Sequence, residues 1–221
     1  MSLKSRLALR LLIGASSIAA LLFIPAGSFK FWQGWVYLAI SFLPGLLAFT
    51  YFYKRDPQLI ERRLRRKEPL REQRLIMRFV YAIYTASFVL PGLDYRFGWS
   101  QEPLWLTTLA QSMVLAGYGM TLWVMKVNSF AASTIQVEPE QKVVSSGPYR
   151  LVRHPMYLGL CVVFLFTPLA LGSYYALPAF VLVIPLVILR LLNEEKVLCQ
   201  QLQGYEEYCS RTRFRMVPLV W

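Results

Sequence analysis

The sequence has one histidine, His154, and three cysteines, Cys161, Cys199 and Cys209. A zinc site draws on several Cys or His ligands, so no metal centre is expected. The cysteines form neither a CxxC pair nor a disulfide framework. Acidic residues are scarce, 12 against 24 Lys and Arg, and all charged residues make up only 16% of the chain. Soluble domains carry about a quarter. Soluble cofactor signatures are missing too. There is no GxxxxGKS/T, no GxSxG, and no GxGxxG after a strand. Gly117-Tyr118-Gly119 falls inside an apolar run, where small residues serve helix packing. The formal charge of +12 would by itself suggest nucleic acid. Away from the run RRLRRK at 62–67 and the extreme C-terminus, however, the basic residues are scattered, so no nucleic-acid partner is expected.

What the chain does have is apolar length: 56% hydrophobic residues in 221. Six stretches stand out: Leu7–Ile24, Phe31–Tyr53, Leu75–Leu90, Leu104–Val127, Tyr157–Leu171 and Tyr174–Leu192. A bilayer core of about 30 Å takes roughly 20 apolar residues as a helix. The second and fourth stretches meet that easily, while the third and fifth are short. The pattern predicts an all-α integral membrane bundle of about six transmembrane helices, with five as the lower count. Residues 1–221 read as one membrane domain. Within it, 1–127 holds helices one to four with a basic cytoplasmic loop at 54–78, and 128–221 holds a polar site with a helical hairpin over 157–192.

Basic residues favour short cytoplasmic loops. With the N-terminus inside, 22 of the 24 Lys and Arg fall inside, and only Lys30 and Arg96 fall outside. Both termini are therefore expected in the cytoplasm, with the turns Leu93–Pro103 and Gly172–Tyr175 external. The N-terminal run is longer than a signal-peptide core and reads as a retained helix. The loop from Lys54 to Arg78 is expected to lie as an amphipathic helix on anionic lipid headgroups.

Two polar segments carry the chemistry. One runs from Asn128 to His154, too long for a plain helix connector, and Pro139, Gly147 and Pro148 forbid one continuous helix. The other runs from Asn193 to Arg215. The first ends in Gly147-Pro148-Tyr149 and Arg153-His154-Pro155-Met156-Tyr157. Pro155 suits a first helical turn, which puts His154 at a helix entrance. In the second, Arg190 and Glu194 share a helix face, followed by Glu195. An arginine behind VLVIPLVIL either snorkels outward or faces a polar cavity. Asp94 falls on the opposite side of the membrane from His154, which excludes a Ser–His–Asp arrangement.

The strings GPYRLVRHPMYLG, LRLLNEEKVL and GYEEYCSRTRFRMVP resemble the isoprenylcysteine carboxyl methyltransferase family and its bacterial relatives. The resemblance covers residues 128–218. The RHPxYxG motif is shared more widely with membrane methyltransferases, phospholipid N-methyltransferases included. The resemblance implies S-adenosylmethionine (SAM) bound by the C-terminal region without a Rossmann fold. It implies cofactor contacts from Gln136, Gln141, Lys142, Val143, Tyr149, His154, Pro155, Tyr157 and Glu194, and a substrate-carboxylate contact from Arg190. The implied partners are a lipophilic carboxylate and membrane lipids. Nothing in the upstream helices singles out a prenyl tail. The competing functions are a phospholipid amine N-methyltransferase, an NADPH-dependent membrane reductase and a non-enzymatic scaffold. Asn193-Glu194-Glu195 stands where such reductases carry an Arg-Asp-Glu string, which weighs against the reductase.

Overall fold

The computed structural model describes residues 2–64 and 70–221, all of them helix or loop with no strand. The helices are α1 (Leu3–Ala26), α2 (Trp32–Arg55), α3 (Pro57–Leu64), α4 (Arg71–Ser87), α5 (Val89–Phe97), α6 (Leu104–Val127), α7 (Pro155–Ala170), α8 (Leu177–Val181), α9 (Val183–Gln201) and α10 (Tyr205–Arg211). Four continuous or nearly continuous rods are long and apolar enough to cross a bilayer: Leu3–Ala26, Trp32–Arg55, Arg71–Phe97 and Leu177–Gln201. Their outward faces carry bare apolar side chains, with Ile24 75% and Leu12 65% exposed. Such surface is costly in water and natural against lipid. The chain is an all-α integral membrane bundle.

Two of the six expected spans differ in character. Helix α6 has the length to cross, 24 residues, but Thr107, Thr108, Gln111 and Ser112 interrupt its apolar run and it is not among the four long rods. Helix α7 is apolar but has only 16 residues. These two pack on each other. A Cβ placed on Gly117 would lie 2.7 Å from the Gly159 carbonyl oxygen, and one on Gly159 would lie 2.7 Å from that of Gly117. The backbones therefore touch where small residues allow it. Gly117→Ala should lower stability by about 1–3 kcal/mol, the usual cost of overpacking. A thermal melt in detergent checks this, and an unchanged midpoint would mean that the helices slide apart freely.

Proline sets the breaks in the two kinked rods. Pro91 has no N–H for the Ser87 carbonyl and Pro185 has none for that of Val181, so each helix is interrupted three residues earlier, at Phe88 and Leu182. The third rod is also longer than its apolar run. Helix α5 reaches Phe97, where Gly98 ends it in the left-handed region at φ 66°, so the expected turn from Leu93 shrinks to Gly98–Pro103.

The helix ends gather at two poles. At one, Asp94 accepts from Ser100 N–H and Oγ, both at 2.7 Å, and from Ser173 Oγ, tying the α5–α6 turn to the α7–α8 turn. At the other pole lie α3, the long loop after α6, the start of α7 and the end of α9.

Helix α3 covers part of the basic loop and does not present its apolar face to lipid. Leu59, Ile60 and Leu64 are buried against Phe52, Phe49 and Leu7. Arg62 turns inward to donate to the Ser129 carbonyl at 2.9 Å. Arg65, Arg66 and Lys67 of the basic run lie outside the described residues.

Candidate active site

The loop that leaves α6 folds back on its own start. Asn128 donates to the Tyr149 hydroxyl at 2.8 Å and accepts from the Phe130 N–H at 2.9 Å. Gly147, at φ 58°, lets the chain turn against Val127. Tyr149 follows in a short 3-10 turn, Gly147–Arg150. Burial holds its phenol up at about 12, so it remains a neutral donor at physiological pH.

His154 ends the loop and Pro155 opens α7. The backbone N–H groups of Arg153 and His154 donate to the Phe214 and Arg215 carbonyls at 2.9 and 2.8 Å. Beneath them, Glu195 receives the Arg215 Nε at 2.6 Å and contacts Arg153 through its other oxygen. That second contact is ionic rather than an aligned hydrogen bond. His154 itself is only 4% exposed, and its Nε2 has no hydrogen-bond partner. Burial, reinforced by the Arg153 and Arg215 charges, pushes its imidazolium down to about 3. The ring is therefore neutral.

One turn into α7, the Tyr157 hydroxyl donates to Glu194 Oε2 at 2.5 Å, linking α7 to α9. Arg190, one turn before Glu194, is 9% exposed. Its Nη1 donates to Gln73 Oε1 on α4 at 3.3 Å and its Nη2 to the Ser133 carbonyl at 2.9 Å. The guanidinium points into the protein, so the snorkelling alternative fails.

These groups surround a cavity of about 420 Å³, within the usual range for small-molecule sites of roughly 300–1,000 Å³. Gln136, Gln141, Lys142, Val143, Tyr149, His154, Pro155, Tyr157, Arg190 and Glu194 all line it. Within that wall, Gln136 donates to Glu138 at 2.6 Å, and Gln141 Oε1 accepts from the Glu138 N–H at 3.1 Å.

Sequence reasoning missed four lining residues of weight. Arg63 comes from α3, Asn128 from the end of α6, and Tyr205 and Tyr208 from α10. Asn128 had a local signal, as the first polar residue after an apolar run. Arg63 had none, because its charge merged with the surrounding basic run.

The cavity wall combines aromatic faces, one carboxylate and a neutral ring nitrogen. Tyrosine faces attract cations and stack on bases. Glu194 offers a carboxylate, and His154 offers a buried ring nitrogen that nothing else uses.

A little under half of the chain, from α6 to just past α9, matches a family model that falls within the isoprenylcysteine carboxyl methyltransferase-like membrane methyltransferase superfamily. Within that superfamily, residues 105–204 match the phospholipid methyltransferase family. Such enzymes take their methyl group from SAM. A Delta(14)-sterol reductase of Mus musculus is 32% identical over 91 residues, 40% of this chain. The chain spans 22% of that relative's length.

Proposed function

We propose that this chain transfers a methyl group from SAM to the carboxylate of a lipophilic acceptor at the membrane. The observation that carries the proposal is the meeting of Arg190, the Tyr157–Glu194 pair and His154 around one cavity. Bound SAM would supply an electrophilic methyl on a sulfonium. Glu194 and Tyr157 hold the donor side, and Tyr149 offers a ring face. Arg190 presents a planar fork that suits a carboxylate. The acceptor oxygen forms the new O–C bond as the S–C bond breaks, and the electron pair stays on sulfur. No proton has to move, so alignment and exclusion of water are the main demands.

A second reading has support of its own. The family description names phospholipids, and amine methylation would need an ammonium to lose a proton first. His154, held near 3, is a poor base for that at neutral pH. A reductase activity is carried only by the short match to the sterol reductase.

Membranes containing the protein, tritiated SAM and extracted lipids test the proposal. Base-labile counts mark an ester, and base-stable counts mark a methylamine. Incorporation that is entirely base-stable would replace the carboxylate reading with the amine one. Glu194→Gln should weaken SAM binding by about tenfold or more, through loss of charge-assisted hydrogen bonding. Unchanged affinity in a folded variant would remove Glu194 from the donor side.

The proposed orientation puts this pole and both termini in the cytoplasm, following the basic-residue bias. With Cys199 and Cys209 replaced by Ser, an impermeant thiol reagent added outside should label Gln101→Cys and not Ser146→Cys. The opposite pattern would invert the topology.

A further inference from the structure

Charge around the cavity does not balance. Among the described residues its lining carries Arg63, Lys142, Arg153 and Arg190 against Glu194 alone. Arg153 is matched by Glu195, and Lys142 is exposed. Two guanidinium groups and one carboxylate therefore line the cavity, a surplus of one positive charge however they pair. SAM brings a sulfonium and an ammonium with one carboxylate, so the excess would grow rather than shrink. A cavity with surplus positive charge and low dielectric favours an anion.

The two arginines come from distant elements and converge. Arg63 ends α3, whose Leu59, Ile60 and Leu64 fix it against α2. Its Nη1 donates to the Ala132 carbonyl at 3.3 Å and approaches Met156 Sδ at 3.4 Å. Its own carbonyl accepts from Ser133 Oγ at 2.5 Å. Arg190 Nη2 reaches the very next carbonyl, that of Ser133, at 2.9 Å. Adjacent carbonyls of one loop thus hold both heads. Among the described residues no carboxylate pairs directly with Arg63, which is half-buried and lines the cavity. Burial lowers its pKa, while Tyr149, Tyr157, Tyr81 and Glu194 offset part of that. A guanidinium nevertheless stays charged.

We propose that Arg63 and Arg190 together form a paired clamp for the acid group of the methyl acceptor, and that Arg63 makes the site selective for ionised over neutral head groups. This rests on the carboxylate reading above. A carboxylate offers about four lone-pair sites on two oxygens, enough for two guanidinium forks. If Arg63 instead only fastens α3 to the loop, its loss weakens every ligand alike and leaves acid selectivity untouched.

The test uses the full chain in detergent with S-adenosylhomocysteine bound. The probes are N-acetyl-S-farnesyl-L-cysteine and its carboxamide, which differ only in the charged head. The unaltered protein should prefer the acid. Arg63→Gln should weaken acid binding by about thirtyfold and amide binding by less than about twofold, as expected for one lost charge-assisted contact. Arg63→Lys keeps the charge and should fall between, which preserves the test if the Gln variant does not fold. Equal losses for acid and amide would make Arg63 a structural staple and overturn the clamp. A collapse of SAM affinity in Arg63→Lys would also overturn it, by moving Arg63 to the donor side. If the unaltered protein prefers the acid but the Arg63 variants keep that preference, only the clamp fails. If the unaltered protein shows no preference and forms no ester, the carboxylate reading fails and takes the clamp with it.

Discussion

Arg190→Lys should cut turnover about a hundredfold, close to 2.7 kcal/mol at 1.36 kcal/mol per decade, and leave SAM affinity near its original value. The reason is geometric. Arg190 uses two nitrogens in two directions, toward Gln73 on α4 and toward the Ser133 carbonyl. A lysine has one nitrogen and no plane, so it cannot reproduce the fork. Gln73 is 1% exposed, and its amide nitrogen already lacks a partner. Losing the arginine would leave its carbonyl oxygen short as well, which adds a stability cost of about 1–3 kcal/mol. The two effects separate by measurement. A thermal melt reads the Gln73 effect, and kcat at saturating SAM reads the acceptor effect. Near-normal turnover in a folded Lys variant would refute the assignment of Arg190 to the acceptor. A parallel loss of SAM binding would mean that Arg190 acts by holding the Tyr157–Glu194 pair in place.

The sequence reveals the helical bundle because hydropathy reports burial in lipid directly. It misplaces the ends because helices run on past their apolar stretch. Helix α4 begins at Arg71, in polar residues, and α9 continues to Gln201. It also hides the interruptions at Phe88 and Leu182, although the cause is local. Both follow from a proline whose missing N–H strands the carbonyl four residues back, and a hydropathy scan does not count carbonyls. Helix α6 is a different case. Its length reads as an easy span, but Thr107 and Gln111 are buried in the protein, with Gln111 donating to the Ala170 carbonyl at 3.2 Å. The Gln111 amide is thus satisfied by α7 rather than by water.

The site follows a similar division. The motif residues are visible in sequence because they lie where polar residues meet an apolar run, His154 and Tyr157 at the start of α7 and Arg190 and Glu194 midway along α9. Their meeting at one cavity depends on packing of α7 against α9, which spacing alone does not give. Arg63 and Gln73 were invisible for a different reason. In a stretch rich in Arg and Lys, one inward guanidinium looks like its neighbours, and Gln73 acquires its role only through Arg190. In the sequence Glu195 reads as a companion of Glu194 because they are adjacent. Adjacent residues on a helix point about 100° apart, and here they serve different partners.

That divergence makes Glu195→Ala the most disruptive single change expected outside the cavity. Glu195 is 7% exposed and meets two arginines, Arg153 from the loop and Arg215 from the C-terminal segment. Removing it leaves two cations facing each other with no anion between them, and Arg153 is itself largely buried. Breaking a buried pair from one side costs about 3–5 kcal/mol. The damage should spread to the site, because the Arg153 and His154 N–H groups hang on the same C-terminal segment. SAM affinity is therefore expected to fall along with the melting midpoint, unlike in Arg190→Lys. Replacing both ends separates charge from packing. Arg153→Met with Glu195→Leu removes the need for an anion at that contact, and removing both partners of a buried pair is often close to neutral. The double variant should recover most of the midpoint lost in Glu195→Ala. If it is as unstable as the single variant, the ionic contact is not what holds the C-terminal segment against α9, and the backbone bonds from Arg153 and His154 carry that task alone.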